Sequence, residues 1–109
     1  MVIRAHWRPY GPSEMVRDSA GREFEIATFE GGKGPLDPYA GTEPFQMAPY
    51  GKKLRASVFL RGGTWQFMVE ATAPPSQIEG SLEAIRKEAR RRLETGDWEQ
   101  GRDYQVPVA

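Results

Sequence analysis

Apolar and polar residues alternate most regularly between Lys53 and Thr72, on both sides of Gly62-Gly63. A Gly-Gly pair between two such segments is typical of a two-residue β-hairpin turn, which fixes the residues that face each other. The pairs on one face are then wholly apolar: Leu60 with Trp65, Val58 with Phe67, Ala56 with Val69, and Leu54 with Ala71. The other face pairs Arg55 with Glu70, Ser57 with Met68, and Phe59 with Gln66. The pattern predicts a hairpin whose apolar face belongs to the core.

The residues from Glu14 to Phe29 predict a second hairpin. The stretch from Asp18 to Gly21 contains turn-forming residues, and Gly21 suits a left-handed backbone position. If Asp18 lies opposite Arg22, the next pairs are Val16 with Phe24 and Arg17 with Glu23. Apolar residues then meet apolar residues and a base meets an acid, as cross-strand pairing favours.

Shorter alternating segments lie at the two ends of the chain. Residues 2–8 alternate between apolar and polar, which predicts a half-buried strand that ends at Pro9. Residues 104–108 alternate in the same way, and Pro107 restricts a strand there to the edge of a sheet.

Helical spacing of apolar residues begins after Pro74-Pro75. The apolar stripe consists of Ile78, Leu82, Ile85, Ala89 and Leu93. This spacing predicts an amphipathic helix over residues 76–95, with Gly96 as its C-terminal stop. Ser76 and Glu79 have the spacing of a capping box, while Gly80 weakens the first turn and favours a regular helix nearer Ser81.

These elements define the predicted fold class, α+β. We expect a mostly antiparallel sheet of about five strands, covered on one face by a single C-terminal amphipathic helix. The length of 109 residues predicts one domain spanning residues 1–109.

A long loop over residues 31–51 interrupts this pattern, with five glycines and four prolines. Proline stiffens the chain beside aromatic residues at Pro38-Tyr39, Pro44-Phe45 and Pro49-Tyr50. Stiff presentation lowers the entropy lost when a ring docks onto a partner. The loop therefore predicts a protein-binding segment with four candidate contact residues: Tyr39, Phe45, Met47 and Tyr50. Two alternatives are packing of these rings on the molecule's own sheet, near Phe59 and Met68, and a homodimer interface.

Acidic and basic residues are unevenly distributed along the chain, although their totals are equal, with 15 of each. Residues 14–49 contain seven acids and three bases, whereas residues 50–92 contain nine bases and four acids. The basic helix segment indicates a nucleic-acid-binding alternative with four candidate residues: Arg86, Lys87, Arg90 and Arg91. The competing interpretation is a solvated helix whose acids and bases suit its own dipole and ion pairs.

Few residues of this chain have the chemistry of a catalytic or metal site. Cysteine is absent and His6 is the only histidine, so thiolate chemistry and histidine-rich metal centres are excluded. No phosphate-binding or nucleophile motif occurs, so we expect no catalytic residue, metal or cofactor. No signal peptide or long apolar span is visible, which predicts a cytoplasmic protein without membrane contact.

The leading functional hypothesis is therefore a small non-enzymatic module that binds a protein partner through the loop. An accessory or inhibitor factor from a phage or other mobile element is one example of such a small, non-catalytic protein. Binding of single-stranded nucleic acid or RNA through the basic helix is the first alternative. A homodimeric domain with an unrecognised site is the second.

Overall fold

A computed structural model describes residues 7–35 and 50–106 of the protein. This part of the chain forms six strands, a short 3₁₀ turn and one long helix. The strands are β1 (Arg8–Pro9), β2 (Glu14–Arg17), β3 (Glu23–Pro35), β4 (Tyr50–Leu60), β5 (Thr64–Ala73) and β6 (Arg102–Gln105). The 3₁₀ turn spans Pro75–Gln77, and helix α1 follows it at Ile78–Thr95.

The strands form one sheet in the order β1-β3-β4-β5-β6, with β2 also paired to β3. All pairings are antiparallel except that of β5 with β6, which is parallel. Helix α1 makes the parallel pairing possible because it carries the chain back to the starting end of β5. The predicted fold class, a mostly antiparallel sheet with one C-terminal helix packed on it, is confirmed, with six strands in place of about five.

The first hairpin has the predicted register. Val16 lies opposite Phe24 and Arg17 opposite Glu23. The Asp18 carboxylate accepts hydrogen bonds from the backbone N–H groups of Ala20 and Arg22, at 3.0 and 2.8 Å, which closes the turn. Gly21 has a φ of 84°, the left-handed conformation expected of it.

The turn between β4 and β5 differs from the prediction. It contains three residues, from Arg61 to Gly63, so Leu60 lies opposite Thr64 and Phe59 opposite Trp65. A bulge at Gln66 then restores the predicted pairs from Val58–Phe67 onwards. The predicted pairs Leu60–Trp65 and Phe59–Gln66 were therefore wrong. Trp65, expected in the core, pairs with Phe59 on the other face of the sheet.

The long loop is shorter than residues 31–51. Strand β3 continues to Pro35 and β4 begins at Tyr50, with Pro35 opposite Tyr50. The register shifts between Glu30 and Lys33, at the two glycines of this segment, and β3 remains paired with β4 on both sides of the shift.

The start of α1 also differs from the prediction. The helix begins at Ile78 and includes Gly80, and no side chain caps its first turn. Ser76 lies inside the 3₁₀ turn, and Glu79 instead accepts a hydrogen bond from the Tyr10 hydroxyl at 2.6 Å. The capping box therefore does not form. The predicted C-terminal stop is confirmed, because Gly96 has a φ of 75° and its N–H bonds to the Arg92 carbonyl oxygen.

The core lies between α1 and one face of the sheet. The helix contributes the predicted apolar stripe, in which Leu82, Ile85, Ala89 and Leu93 are buried and Ile78 packs against them. Phe24 and Phe67 are the largest buried sheet residues, and the Trp98 ring stacks on Phe67 with 5.0 Å between centroids. Trp98 thus fixes the chain between α1 and β6 against the core.

Candidate functional site

The predicted loop contacts lie mostly outside the part of the chain that the structure describes. Tyr39, Phe45 and Met47 fall between its two described segments. Tyr50 is the first residue of β4, opposite Pro35. The role of these four residues remains a prediction.

The basic residues of α1 are mostly engaged with neighbouring side chains. Arg90 bonds to Glu14 and Glu83, both at 2.8 Å. Arg91 forms an ion pair with Glu88 at 2.6 Å, and Arg86 donates a hydrogen bond to the Thr28 hydroxyl at 2.7 Å. Lys87 is exposed. The arrangement resembles an internally neutralised helix surface more than a row of cations available to phosphates.

The sheet has a second face, opposite the helix, which we call the open face. No helix of the described residues lies on it. Five half-buried large apolar residues occupy this side and are not packed against the core: Trp7, Phe29, Phe59, Trp65 and Met68. Met15 on β2 extends the apolar surface and is 55% exposed. These apolar residues, which we call the apolar strip, extend from β2 to β5, with Glu25 lying between Met15 and Phe59.

The centre of the open face includes two small residues, Ala27 and Ser57. Ala27 lies opposite Ser57, and Ser57 lies opposite Met68 on the next strand. Ser57 is only 6% exposed.

Charged residues of both signs border this strip. The strand registers place four bases and four acids on the open face: Arg17, Lys53, Arg55, Arg61, Glu23, Glu25, Glu70 and Asp103. The face is thus electrically balanced within the described residues.

One acid at the hairpin end of the face binds two of these bases. Glu23 forms ion pairs with Arg61 and, at 3.1 Å, with Arg17. The hydrogen bond and charge of Arg61 hold the pKa of the Glu23 carboxyl below its ordinary value, and Arg17 adds to this effect while burial opposes it. Glu23 therefore remains ionised and neutralises charge on both arginines.

A pocket of about 260 Å³ lies beside this cluster. Its walls are Met15, Glu25, Phe59, Leu60 and the turn from Arg61 to Gly63. Glu25 forms no ion pair with another described residue, although Glu23, two positions away, forms two. The pocket thus combines apolar walls with an acid that has no cation of its own in this part of the chain.

At the other end of the open face, Trp7 covers part of the sheet. The guanidinium carbon of Arg55 lies 3.9 Å from the centre of the Trp7 ring, and Arg55 also pairs with Glu70 at 3.2 Å. A Cβ atom at Gly31 would lie 2.9 Å from the ring carbon Cζ3, so glycine is required for this close approach. Trp7 therefore closes the strip at this end, whereas the Met15 end is accessible.

Sequence reasoning missed the open face as a candidate site. The two-residue turn assigned Trp65 to the core, which removed one of the aromatic residues of the strip. The signal was Arg61 preceding Gly62-Gly63, which together form a three-residue turn with a bulge.

Among residues 7–35 and 50–106, no three histidine, cysteine or acidic side chains are grouped as metal ligands. The helix within the same ranges is not long and apolar enough to cross a membrane. Comparisons of the chain with family models, curated proteins and solved structures returned no match. The class defined by the structure is an α+β protein in which the described helix packs on one face of the sheet and no described helix packs on the other.

Proposed function

We propose that this protein is a small non-enzymatic accessory or inhibitor module that binds a protein partner through the open face of its sheet. The observation that carries this proposal is the apolar strip on that face, with Met15 accessible at one end. Contiguous apolar surface with a polar border is typical of protein interaction sites. Aromatic and methionine side chains are enriched in such interfaces, and burying them supplies free energy of binding.

The charges of the open face favour a protein over a nucleic acid as the partner. A surface that binds phosphates carries an excess of positive charge. Here four acids offset four bases among the described residues. A protein surface of mixed charge can pair with both signs, and such pairing sets orientation and specificity.

The basic helix supports the nucleic-acid alternative less well. Binding phosphates through Arg90 or Arg91 would compete with ion pairs at 2.6–2.8 Å to Glu14, Glu83 and Glu88. The loop residues predicted from the sequence would add further contacts with the partner. The proposal does not require them, because the open face alone offers an apolar surface.

Site-specific photocrosslinking tests the proposal. A photoreactive amino acid replaces Met15 on the open face or, as the matched control, Lys87 on the exposed side of the helix. Both proteins are irradiated in nuclease-treated lysate of the cells that express the chain. We expect a discrete protein adduct from position 15 and none from position 87, because only the first probe lies in the interface.

Substitution then shows whether the apolar strip supplies the affinity. Met15→Ser with Trp65→Ser should weaken binding of the crosslinked partner at least about tenfold, since central aromatic contacts often contribute about 2 kcal/mol or more. Lys87→Ser with Glu94→Ser is the control, because both residues are exposed on the helix. Circular dichroism and thermal unfolding verify folding. Equal affinity of a folded open-face variant and the unmodified protein would refute the proposal.

A further inference from the structure

We infer that the pocket lined by Met15, Glu25 and Phe59 receives a lysine or arginine side chain of the bound partner. This inference rests on the proposed function, because the pocket forms the hairpin end of the open face. The inference specifies which kind of partner side chain enters the pocket, namely a cationic one.

The size of the pocket indicates a single side chain. Pockets that enclose small-molecule ligands usually measure about 300–1,000 Å³. The volume here is about 260 Å³, and the pocket opens at the surface beside the β4–β5 turn. One long side chain extending from a docked protein is a better match for this space than a whole metabolite.

The walls suit the stem of a cationic side chain. Met15, Phe59 and Leu60 line the pocket, and the Leu60 side chain also packs against the core. Lysine and arginine pack their methylene groups against such surface while the charged end remains at a polar group. The methionine side chain is flexible and adapts its shape to the group that it contacts.

The charge at the pocket selects a cation. An apolar occupant would remove water from Glu25 without replacing its hydrogen bonds, which is unfavourable. An acidic occupant would approach both Glu25 and Glu23. A cation is attracted to Glu25, while Arg61, the base that lines the pocket, already has an anionic partner in Glu23. Lysine or arginine is therefore the occupant whose stem and charge both match the pocket.

The inference can be tested with the blocked amino acid Nα-acetyl-arginine methylamide as the probe. Its titration into ¹⁵N-labelled protein at low salt is followed by NMR, beside the uncharged norleucine analogue and the acidic glutamate analogue. We expect saturable shifts at Met15, Glu25 and residues 59–63 with the arginine probe, and weaker binding of both analogues. Equal binding of the norleucine analogue, or no saturable shift at the pocket, would overturn the inference.

Variants of Glu25 measure how much its carboxylate contributes to the affinity for the arginine probe. Glu25→Gln should weaken arginine binding about threefold to fivefold, the effect of losing a partly exposed ion pair of up to about 1 kcal/mol. Glu25→Lys should abolish saturable binding. Glu94→Gln, which makes the same change of net charge on the exposed helix surface, should leave the affinity unchanged. Unchanged affinity in a folded Glu25→Gln protein would contradict the inference.

The two proposals fail in different ways. If the arginine probe does not bind while Met15→Ser with Trp65→Ser still weakens partner binding, only the pocket inference is wrong. If the open-face variants retain full partner affinity, the proposed function is wrong, whichever probe enters the pocket.

Discussion

The Arg86 guanidinium group donates a hydrogen bond to the Thr28 hydroxyl oxygen, with 2.7 Å between the two atoms. The same hydroxyl donates to the Tyr10 carbonyl oxygen at 2.9 Å. Thr28 is 2% exposed, so one buried hydroxyl links the helix, the centre of the sheet and the segment after β1. This contact gives Arg86 a structural role.

Replacement of Thr28 by valine should therefore destabilise the protein by about 1–3 kcal/mol, because it leaves buried polar groups without their partner. Thr28→Ser retains the hydroxyl and loses one methyl group, so its cost should be smaller, about 0.5–1.5 kcal/mol. Urea unfolding measures both values. A valine variant as stable as the unmodified protein would show that the hydroxyl contributes nothing.

Two glycines of the helix region should respond to alanine in opposite directions. Gly96 ends the helix with a φ of 75°, where a side chain is strained, so Gly96→Ala should cost about 1 kcal/mol. Gly80 lies within the first turn of α1, and nothing lies within 4 Å of an added Cβ atom. Gly80→Ala should stabilise the protein by about 0.5–1 kcal/mol. Thermal unfolding of both variants checks the signs, and a stabilising Gly96→Ala would contradict the assigned C-cap.

The fold was predictable because its core elements have strong periodic patterns. The stripe from Leu82 to Leu93 repeats at the helical period, and alternation over β4 and β5 identifies the hairpin. The parallel pairing of β6 was not predictable. It depends on the position to which α1 returns the chain and on packing of Trp98 against Phe67, neither of which has a local signal.

The candidate site was less predictable than the fold. Whether Trp65 faces the core depends on one extra turn residue and the bulge that compensates for it. A shift of one residue moves a side chain to the other face of a sheet, so a small error in the turn transfers a large ring from surface to core. The accessibility of the pocket at Glu25 depends on neighbouring strands that are distant in sequence.

The two glycines in the middle of β3 should also differ in their tolerance of alanine. At Gly31, an added Cβ atom would lie 2.9 Å from the Trp7 ring, which must move and weaken its contact with Arg55. We expect Gly31→Ala to be about 1 kcal/mol less stable than Gly32→Ala, since an exposed cation–π contact contributes about 0.5–1 kcal/mol. Gly32 is the matched control because nothing lies within 4 Å of its added Cβ atom.

Stability measurements should be combined with NMR of the Trp7 indole N–H. Its signal should shift in the Gly31→Ala protein and remain in place in the Gly32→Ala protein. Equal stabilities and equal spectra for the two variants would show that the ring does not pack on Gly31.

The acid sensitivity of the helix should depend on Glu88. Hydrogen bonding by Arg91 lowers the pKa of this carboxyl most, the charges of Arg91 and Arg92 add to the effect, and burial opposes it. Because the pKa is lower in the folded than in the unfolded state, the ion pairs stabilise the protein fully above the unfolded pKa of about 4.3. This stabilisation is lost as the pH falls through the lowered folded pKa.

Glu88→Gln should consequently lower the free energy of unfolding at pH 7 and have progressively less effect as the pH falls below the ordinary carboxyl range. The measurement is urea unfolding of both proteins at several pH values between about 7 and 2, with Glu94→Gln as the control because Glu94 is exposed on the same helix. The curves of the unmodified protein and Glu88→Gln should converge in acid. A constant difference over the whole range would mean that ionisation of Glu88 does not contribute to stability, since the ion pairs require a charged carboxylate.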